Sequence, residues 1–258
     1  MRAATCQIQQ GLAELRRARR GGATLGRGEA ARALNMLTEG QMQIESSKID
    51  VLCAATERTL RSHDKAKVVV AVNYTRTLET LAQRLASWEP LVLNGATPSE
   101  QRERHKAAFQ APDTRRRLLL GNVRVIGCGI DLDDQHGDYP RLGLLVPNYE
   151  TIMLYQFMGR FDRALTRSRA KMLVVYTTSG LEGRSGGESH EASISDPLSE
   201  IGEHEEELLS IQVSDLECSE ASLIRALCRK GEVMASTMCA EEAEGRKLPG
   251  QAVTWVMK

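Results

Sequence analysis

The fold is decided by the stretch Val68-Val69-Val70-Ala71-Val72, five apolar residues in a row between Lys67 and Asn73. A strand with one solvated face alternates apolar and polar residues, whereas a parallel strand buried on both faces is an unbroken apolar run. The stretch therefore predicts a central strand of a parallel sheet.

Downstream of this run, short apolar strands alternate with helical segments. Leu78, Leu81 and Leu85 have the spacing of one helix face. Further strands are predicted at residues 91–93, 117–120, 142–146 and 172–176, with helices at about 98–109 and 150–163. This alternation indicates an α/β domain with a parallel sheet, in which sites form at the carboxyl ends of the strands.

The segments on either side of this domain differ from it in composition. Residues 1–49 are predicted to be a basic leader that frays and a helical lead-in, with the helical pattern broken near Ser46-Ser47. The α/β domain is assigned to residues 50–178, after which the strand pattern stops. Residues 179–217 are predicted to be an acidic, flexible, disordered linker, and residues 218–258 a C-terminal helix and tail.

The overall charge excludes a general electrostatic attraction to nucleic acid. Lys and Arg total 34 and Asp and Glu total 34, so the net charge is zero. Any attraction to phosphate must then come from local clusters. One candidate phosphate track is formed by Arg115-Arg116-Arg117 with Arg102, Arg104 and Lys106, and a solvated edge is the alternative interpretation.

Cysteine spacing and hydropathy narrow the protein class further. The six cysteines include no C-x-x-C pair, which argues against a zinc site and favours reduced thiols in an intracellular protein. No apolar run approaches the roughly 20 residues of a membrane helix, so no membrane partner is expected.

The most specific chemical feature is Gln156-Phe157-Met158-Gly159-Arg160-Phe161-Asp162-Arg163. If this string is helical, Arg160 and Arg163 lie three residues apart on one face and both guanidinium groups can reach one polyanion. Such an arrangement suits an arginine finger, which neutralises charge on a transferring phosphoryl group. The alternative is two arginines on a solvated face.

A glycine-bearing loop, Gly127-Cys128-Gly129-Ile130-Asp131, lies about 25 residues upstream. Glycines let backbone amides approach an anion or a nucleotide, and Asp131 is placed to accept a hydrogen bond from a ribose hydroxyl. An ordinary turn in which Asp131 caps a helix is the alternative.

Together the loop and the arginine string resemble motifs V and VI of the second RecA-like domain of superfamily-two helicases and nucleic-acid-dependent ATPases. Asn73-Tyr74 resembles motif IV, and Leu93-Asn94-Gly95 through Arg102 and Phe109 resembles the element that follows it. The resemblance covers residues 67–177 and is nearest to helicases of large DNA viruses. Two positions depart from the resemblance. Many members have Thr or Ser where this chain has Val123, and Arg where it has Phe157.

The resemblance implies a RecA-like sheet with helices on both faces and a role for three groups of residues. A single strand of DNA or RNA would be contacted by Asn73, Tyr74, Asn94, Gly95 and Val123. ATP would be contacted by Gln156, Gly129 and Asp131, and Arg160 and Arg163 would be catalytic.

A complete ATP site is not expected in this chain. The sequence has no Gly-Lys and no Asp-Glu dipeptide, so it lacks the phosphate-cradling lysine loop and the acid pair that holds magnesium. ATP and magnesium would be held by a first RecA-like domain, supplied in trans or lost by truncation, and the isolated chain is predicted to be inactive. The alternative is a non-catalytic interaction module or a truncated helicase remnant.

Overall fold

The computed structural model describes residues 2–20, 27–148, 151–161, 163, 165–168, 170–176 and 253–257. Its helices are α1 (Arg2–Arg20), α2 (Arg27–Ser46), α3 (Ile49–Ser62), α4 (Thr75–Arg84), α5 (Ser99–Gln110), α6 (Val123–Ile126) and α7 (Thr151–Met158), and Ala86–Trp88 is a 3₁₀ turn. Its strands are β1 (Lys67–Val72), β2 (Leu91–Leu93), β3 (Leu118–Asn122), β4 (Arg141–Leu145), β5 (Ala170–Tyr176) and β6 (Val253–Met257).

The strands form one parallel sheet in the order β2-β3-β1-β4-β5-β6. The predicted central strand lies inside the sheet, where Val70 pairs with Leu120 of β3 and with Leu144 of β4. All six residues of β1 are buried, as the unbroken apolar run requires. The predicted α/β class with a parallel sheet is confirmed.

Helices cover both faces of this sheet. Leu52 and Leu60 of α3 and Leu78 of α4 share one apolar cluster with Val68 and Val70. On the opposite face, Phe109 of α5, Ile126 of α6 and Phe157 of α7 share a cluster with Val69 and Ala71. Successive residues of β1 therefore contribute to different clusters, and full burial of each valine side chain contributes about 1.5–3 kcal/mol.

The N-terminal region is largely helical. Residues 2–20, predicted to be a basic leader, form α1, which packs against α2 through Ala4, Ile8 and Ile44. Gly40 makes this close approach possible, because a Cβ there would lie 2.6 Å from Cγ1 of Ile8. The predicted helix break is confirmed, since α2 ends at Ser46 and α3 begins at Ile49.

The C-terminal tail contains a strand that the sequence pattern did not predict. β6 pairs in parallel with β5, with Trp255 opposite Val174. The expectation that the strand pattern stops after residue 178 is therefore wrong. The predicted acidic linker and the predicted helix before β6 lie outside the described residues.

Candidate functional site

The parallel sheet brings the loops after β1, β2, β3 and β4 to its carboxyl edge. The chain leaves β1 towards β2 but leaves β4 in the opposite direction, towards β5, so a crevice opens between the ends of β1 and β4. In α/β sheets such a reversal point is the usual place for a ligand. Asn73 follows β1 directly, and Val146 follows β4.

Asn73 is the centre of the hydrogen bonds at this crevice. Its side-chain amide donates to the carbonyl of Val146 at 3.3 Å and accepts from Nδ2 of Asn148 at 2.8 Å. Its own carbonyl accepts from Nδ2 of Asn122, at the end of β3, at 3.4 Å. Asn73 thus connects the ends of β1, β3 and β4.

The hydrogen-bond donors of the Asn73-Tyr74 loop bind Glu45, a residue that was not predicted from the sequence. Oε2 of Glu45, near the end of α2, accepts from the backbone N–H of Asn73 at 2.9 Å and from its Nδ2 at 2.8 Å. Oε1 accepts from the backbone N–H of Tyr74 at 3.0 Å. Glu45 is only 2% exposed, and no sequence motif marks it. The loop predicted to contact nucleic acid therefore binds a carboxylate of its own chain.

The second predicted contact loop, at Asn94 and Gly95, is a tight turn that is stabilised by hydrogen bonds within it and from Arg102. Oδ1 of Asn94 accepts from the backbone N–H of Ala96 and from the hydroxyl of Thr97, both at 3.0 Å. The guanidinium of Arg102 donates to the carbonyls of Thr97 and Gly95. Gly95 is exposed and Asn94 is half-buried, so this turn presents backbone groups at the carboxyl edge.

Two other predicted nucleic-acid contacts lie in the core or away from these loops. Val123 is 1% exposed and lies in an apolar cluster, so its side chain cannot contact a strand. Arg115, Arg116 and Arg117 precede β3 and lie at the amino edge of the sheet, opposite the carboxyl-edge loops. Arg117 donates to the carbonyls of Leu60 and His63, as a structural contact does.

The predicted nucleotide-binding residues partly converge. Gly129 has a φ of +72°, a conformation that favours glycine. Arg163 and Asp131 form an ion pair at 2.7 Å, and Arg160 Nε donates to the carbonyl of Gly127 at 3.2 Å. The backbone N–H of Leu132 donates to the carbonyl of Arg160 at 2.9 Å. The loop and the arginine string therefore contact each other at several points.

The secondary structure that carries Arg160 and Arg163 differs from the predicted helix. α7 ends at Met158, so Arg160 lies in a turn and Arg163 beyond it, and the two arginines do not share a helix face. Gln156 is exposed near the end of α7. Phe157, at the position where the resemblance predicts Arg, is fully buried, and its ring centroid lies 5.2 Å from that of Phe161 in an edge-on arrangement.

Gln110 supports the Asp131 segment and was also missed by sequence reasoning. Its Nε2 donates to the carbonyl of Asp131 at 2.6 Å, and its Oε1 accepts from Nη2 of Arg141 at 2.8 Å. Arg141 is fully buried at the start of β4, and burial lowers its pKa to about 10. The main chain that carries Asp131 is thereby fixed to the core of the sheet.

Lys67, at the start of β1, is a second buried cation at the amino edge. Its Nζ donates to the carbonyls of Phe109 at 2.7 Å and Ala111 at 2.6 Å. Burial, together with the nearby charge of Arg141, lowers its pKa to about 8. Lys67 belongs to the folded core and is distant from the carboxyl-edge loops.

The described residues support neither a metal site nor a membrane-spanning helix. No group of three or more His, Cys, Asp or Glu side chains in the described ranges is arranged to hold a metal ion. Within the same ranges, no helix has the length and apolarity to cross a membrane.

Comparison with known sequences gives two matches, and the first of them includes this site. The helicase conserved C-terminal domain family matches residues 47–165. The putative ATP-dependent RNA helicase L364 of Acanthamoeba polyphaga mimivirus is 30% identical over 128 residues, which are 50% of this chain and 23% of that relative. The chain thus spans less than a quarter of the relative's length.

Solved structures give weaker likenesses. The C-terminal part of the Fun30 ATPase domain is 19% identical, with a TM-score of 0.42, over 50% of this chain and 40% of that one. The C-terminal domain of the DEAD-box protein Dbp5 is 20% identical, with a TM-score of 0.38, over 51% and 71%. These structural overlaps are partial, and the family match covers 119 of the 258 residues of this chain.

Proposed function

From the match of residues 47–165 to the helicase conserved C-terminal domain family, we propose that the chain is the C-terminal, nucleic-acid-binding half of a superfamily-two helicase, an ATP-driven motor. In this proposal the chain binds the backbone of single-stranded DNA or RNA. It also supplies Arg160 and Arg163 to ATP that is held, with magnesium, by a first RecA-like domain.

The observation that carries the proposal is the Asp131–Arg163 ion pair. The two side chains are 49% and 35% exposed, so the guanidinium is held in position yet accessible to a second domain. An exposed carboxylate is a weak partner for Arg, and a nucleotide phosphate carries more charge and more acceptor oxygens. As negative charge develops on the transferring phosphoryl group of a docked nucleotide, Arg163 exchanges the carboxylate of Asp131 for that group.

Arg160 has a different part in this proposal. Its Nε already donates to the carbonyl of Gly127, and this hydrogen bond fixes the Nε end of the guanidinium group. A guanidinium has five N–H donors in a rigid fork, so other donors remain to bind an anion once Nε is fixed. Arg160 is therefore proposed to hold the ground-state phosphate, and Arg163 to respond to the transition state.

Nucleic acid is proposed to contact the carboxyl-edge loops at Asn73-Tyr74 and Asn94-Gly95. The groups there are backbone amides, carbonyls and short polar side chains, which position a backbone without reading base sequence. Arg102 takes part indirectly by holding the Asn94-Gly95 turn in shape.

The test is equilibrium binding of the full chain to labelled single-stranded DNA and RNA of mixed sequence. We expect weak, sequence-independent binding that falls steeply between about 50 and 200 mM salt. The absence of binding at low salt, or binding that salt does not change, contradicts the proposal.

A further inference from the structure

The buried carboxylate of Glu45 occupies a group of hydrogen-bond donors that are suited to an anion. Three donors converge on it, namely the backbone N–H groups of Asn73 and Tyr74 and the side-chain amide of Asn73, at 2.8–3.0 Å. The Tyr74 N–H belongs to the N-cap of α4, a ten-residue helix whose amino end carries partial positive charge. A phosphodiester has the same charge sign and the same kind of acceptor oxygens as this carboxylate.

The position of Glu45 excludes a second anion from the same donors. Glu45 lies over the loop that follows β1, at the crevice between the ends of β1 and β4. Both of its carboxylate oxygens are engaged and the residue is 2% exposed. An incoming phosphate must therefore displace the carboxylate before it can reach the backbone amides of Asn73 and Tyr74.

The segment that carries Glu45 is built as a separate unit. α1 and α2 form a helical hairpin with an apolar cluster of its own, which contains Ala4, Ile8 and Ile44 and is distinct from both clusters on the sheet. The described bonds from α2 to the Asn73-Tyr74 loop are polar, and include the Tyr74 hydroxyl, which donates to Oε1 of Gln41 at 2.8 Å. A two-residue turn, Ser47-Lys48, separates α2 from α3.

This construction permits displacement of the hairpin without unfolding of the sheet. Moving α1 and α2 about the Ser47-Lys48 turn breaks polar bonds that a phosphate can replace, and it leaves the apolar contacts of α3 in place. Exchange of one set of hydrogen bonds for another costs less than exposure of buried apolar surface.

We propose that the α1–α2 hairpin is an intramolecular block of the nucleic-acid interface, in which the Glu45 carboxylate stands in for a backbone phosphodiester. The inference rests on the proposed function, since it assigns regulation to the same loop. Nucleic acid binds when the hairpin swings away, and the measured affinity is reduced by the fraction of molecules that remain closed.

The experiment measures binding of a labelled single-stranded oligonucleotide of about 20 nucleotides to the full chain at about 50 mM salt. Glu45→Gln removes the charge and leaves one oxygen where two were bound, so it is expected to lower Kd about tenfold or more. Glu39→Gln is the matched control, because it removes the same charge from an exposed position on α2. It is expected to change Kd by less than about twofold.

A second variant that keeps the net charge, and a hydrogen-exchange measurement on the wild-type chain, test the inference even if Glu45→Gln does not fold. Gln41→Ala removes the contact with Tyr74, keeps the net charge, and is expected to tighten binding by a smaller factor. In the wild-type chain, saturation with the oligonucleotide is expected to increase hydrogen exchange across residues 27–46.

The outcomes separate this inference from the proposed function. If the wild-type chain binds but neither Glu45→Gln nor Gln41→Ala binds more tightly than Glu39→Gln, the block does not exist although the interface does. Protection of residues 27–46 on binding likewise overturns it, because the hairpin is then part of the binding surface. If no variant binds at low salt, the proposed function itself fails.

Discussion

Arg163 Nη1 lies 2.7 Å from Asp131 Oδ1, and this ion pair joins the segment after α7 to the loop after α6. Both side chains are partly exposed, so the pair contributes about 0–1 kcal/mol to stability. Its effect is to hold a guanidinium in a defined place while leaving it accessible. A residue placed in this way affects a partner domain more than it affects its own fold.

The first prediction concerns the isolated chain, which is expected to release phosphate from ATP at the background rate with or without nucleic acid. The reason is that no residues here match the lysine loop and acid pair that hold the phosphates and magnesium. Phosphate release is measured with single-stranded DNA and RNA present. Nucleic-acid-stimulated hydrolysis that Arg163→Ala abolishes would contradict the half-site proposal.

The second prediction concerns Gly121 in β3. A Cβ at this position would lie 2.6 Å from Cγ2 of Ile126 and 3.0 Å from the backbone carbonyl oxygen of Leu93. Because a backbone atom on the neighbouring strand cannot move away easily, Gly121→Ala is expected to lower the free energy of unfolding by about 1–3 kcal/mol. Denaturant unfolding measures the change.

Gly95→Ala is the matched control for this substitution. No atom lies within 4 Å of a Cβ built at Gly95, so the free energy of unfolding is expected to change by less than about 0.5 kcal/mol. Equal effects of the two substitutions would show that β2 and β3 do not approach as closely as described.

The third prediction is a rise of stability with pH caused by Lys67. Its folded-state pKa is about 8, against an ordinary value of 10.5, so between these values the unfolded chain binds more protons than the folded one. The destabilisation caused by the buried charge of Lys67 is fully present below pH 8 and disappears as pH rises to 10.5. Relative to Lys67→Met, the wild-type free energy of unfolding should increase by about 3 kcal/mol across this interval.

Lys65→Met is the control for the pH series. Lys65 is exposed and pairs with Asp138 at the surface, so its substitution should leave the pH dependence of the wild type unchanged. If the wild type and Lys67→Met show parallel stability curves from pH 8 to 10.5, the buried ammonium has an ordinary pKa.

The features predictable from sequence were those set by local periodicity. The unbroken run in β1 requires burial on both faces, and the spacing of Leu78, Leu81 and Leu85 fixes the face of the following helix. The break between α2 and α3 was also predictable, because Ser46-Ser47 interrupts the apolar spacing. These signals lie within a few residues of each other and depend little on tertiary context.

What the sequence could not predict depends on contacts between distant segments. Glu45 lies 28 residues before Asn73, and no motif distinguishes it from exposed glutamates such as Glu39. Arg160 and Arg163 have helical spacing, yet α7 ends before them because the following turn packs against the Gly127 loop. β6 was missed because its partner strand precedes it by more than 75 residues.

The last prediction concerns Arg163 in an active assembly, obtained by fusing this chain to a first RecA-like domain that carries the phosphate-binding loop. Arg163→Ala is expected to lower kcat at least about 100-fold, because a guanidinium at the phosphoryl group stabilises the transition state more than the ground state. The KM for ATP and the affinity for nucleic acid should change little, since the carboxyl-edge loops do not depend on the Asp131 ion pair. Arg167→Ala removes an exposed cation four residues away and should retain near-wild-type turnover, which excludes a general charge effect. Near-wild-type hydrolysis by Arg163→Ala would make this arginine a surface ion-pair residue and would favour a non-catalytic interaction module.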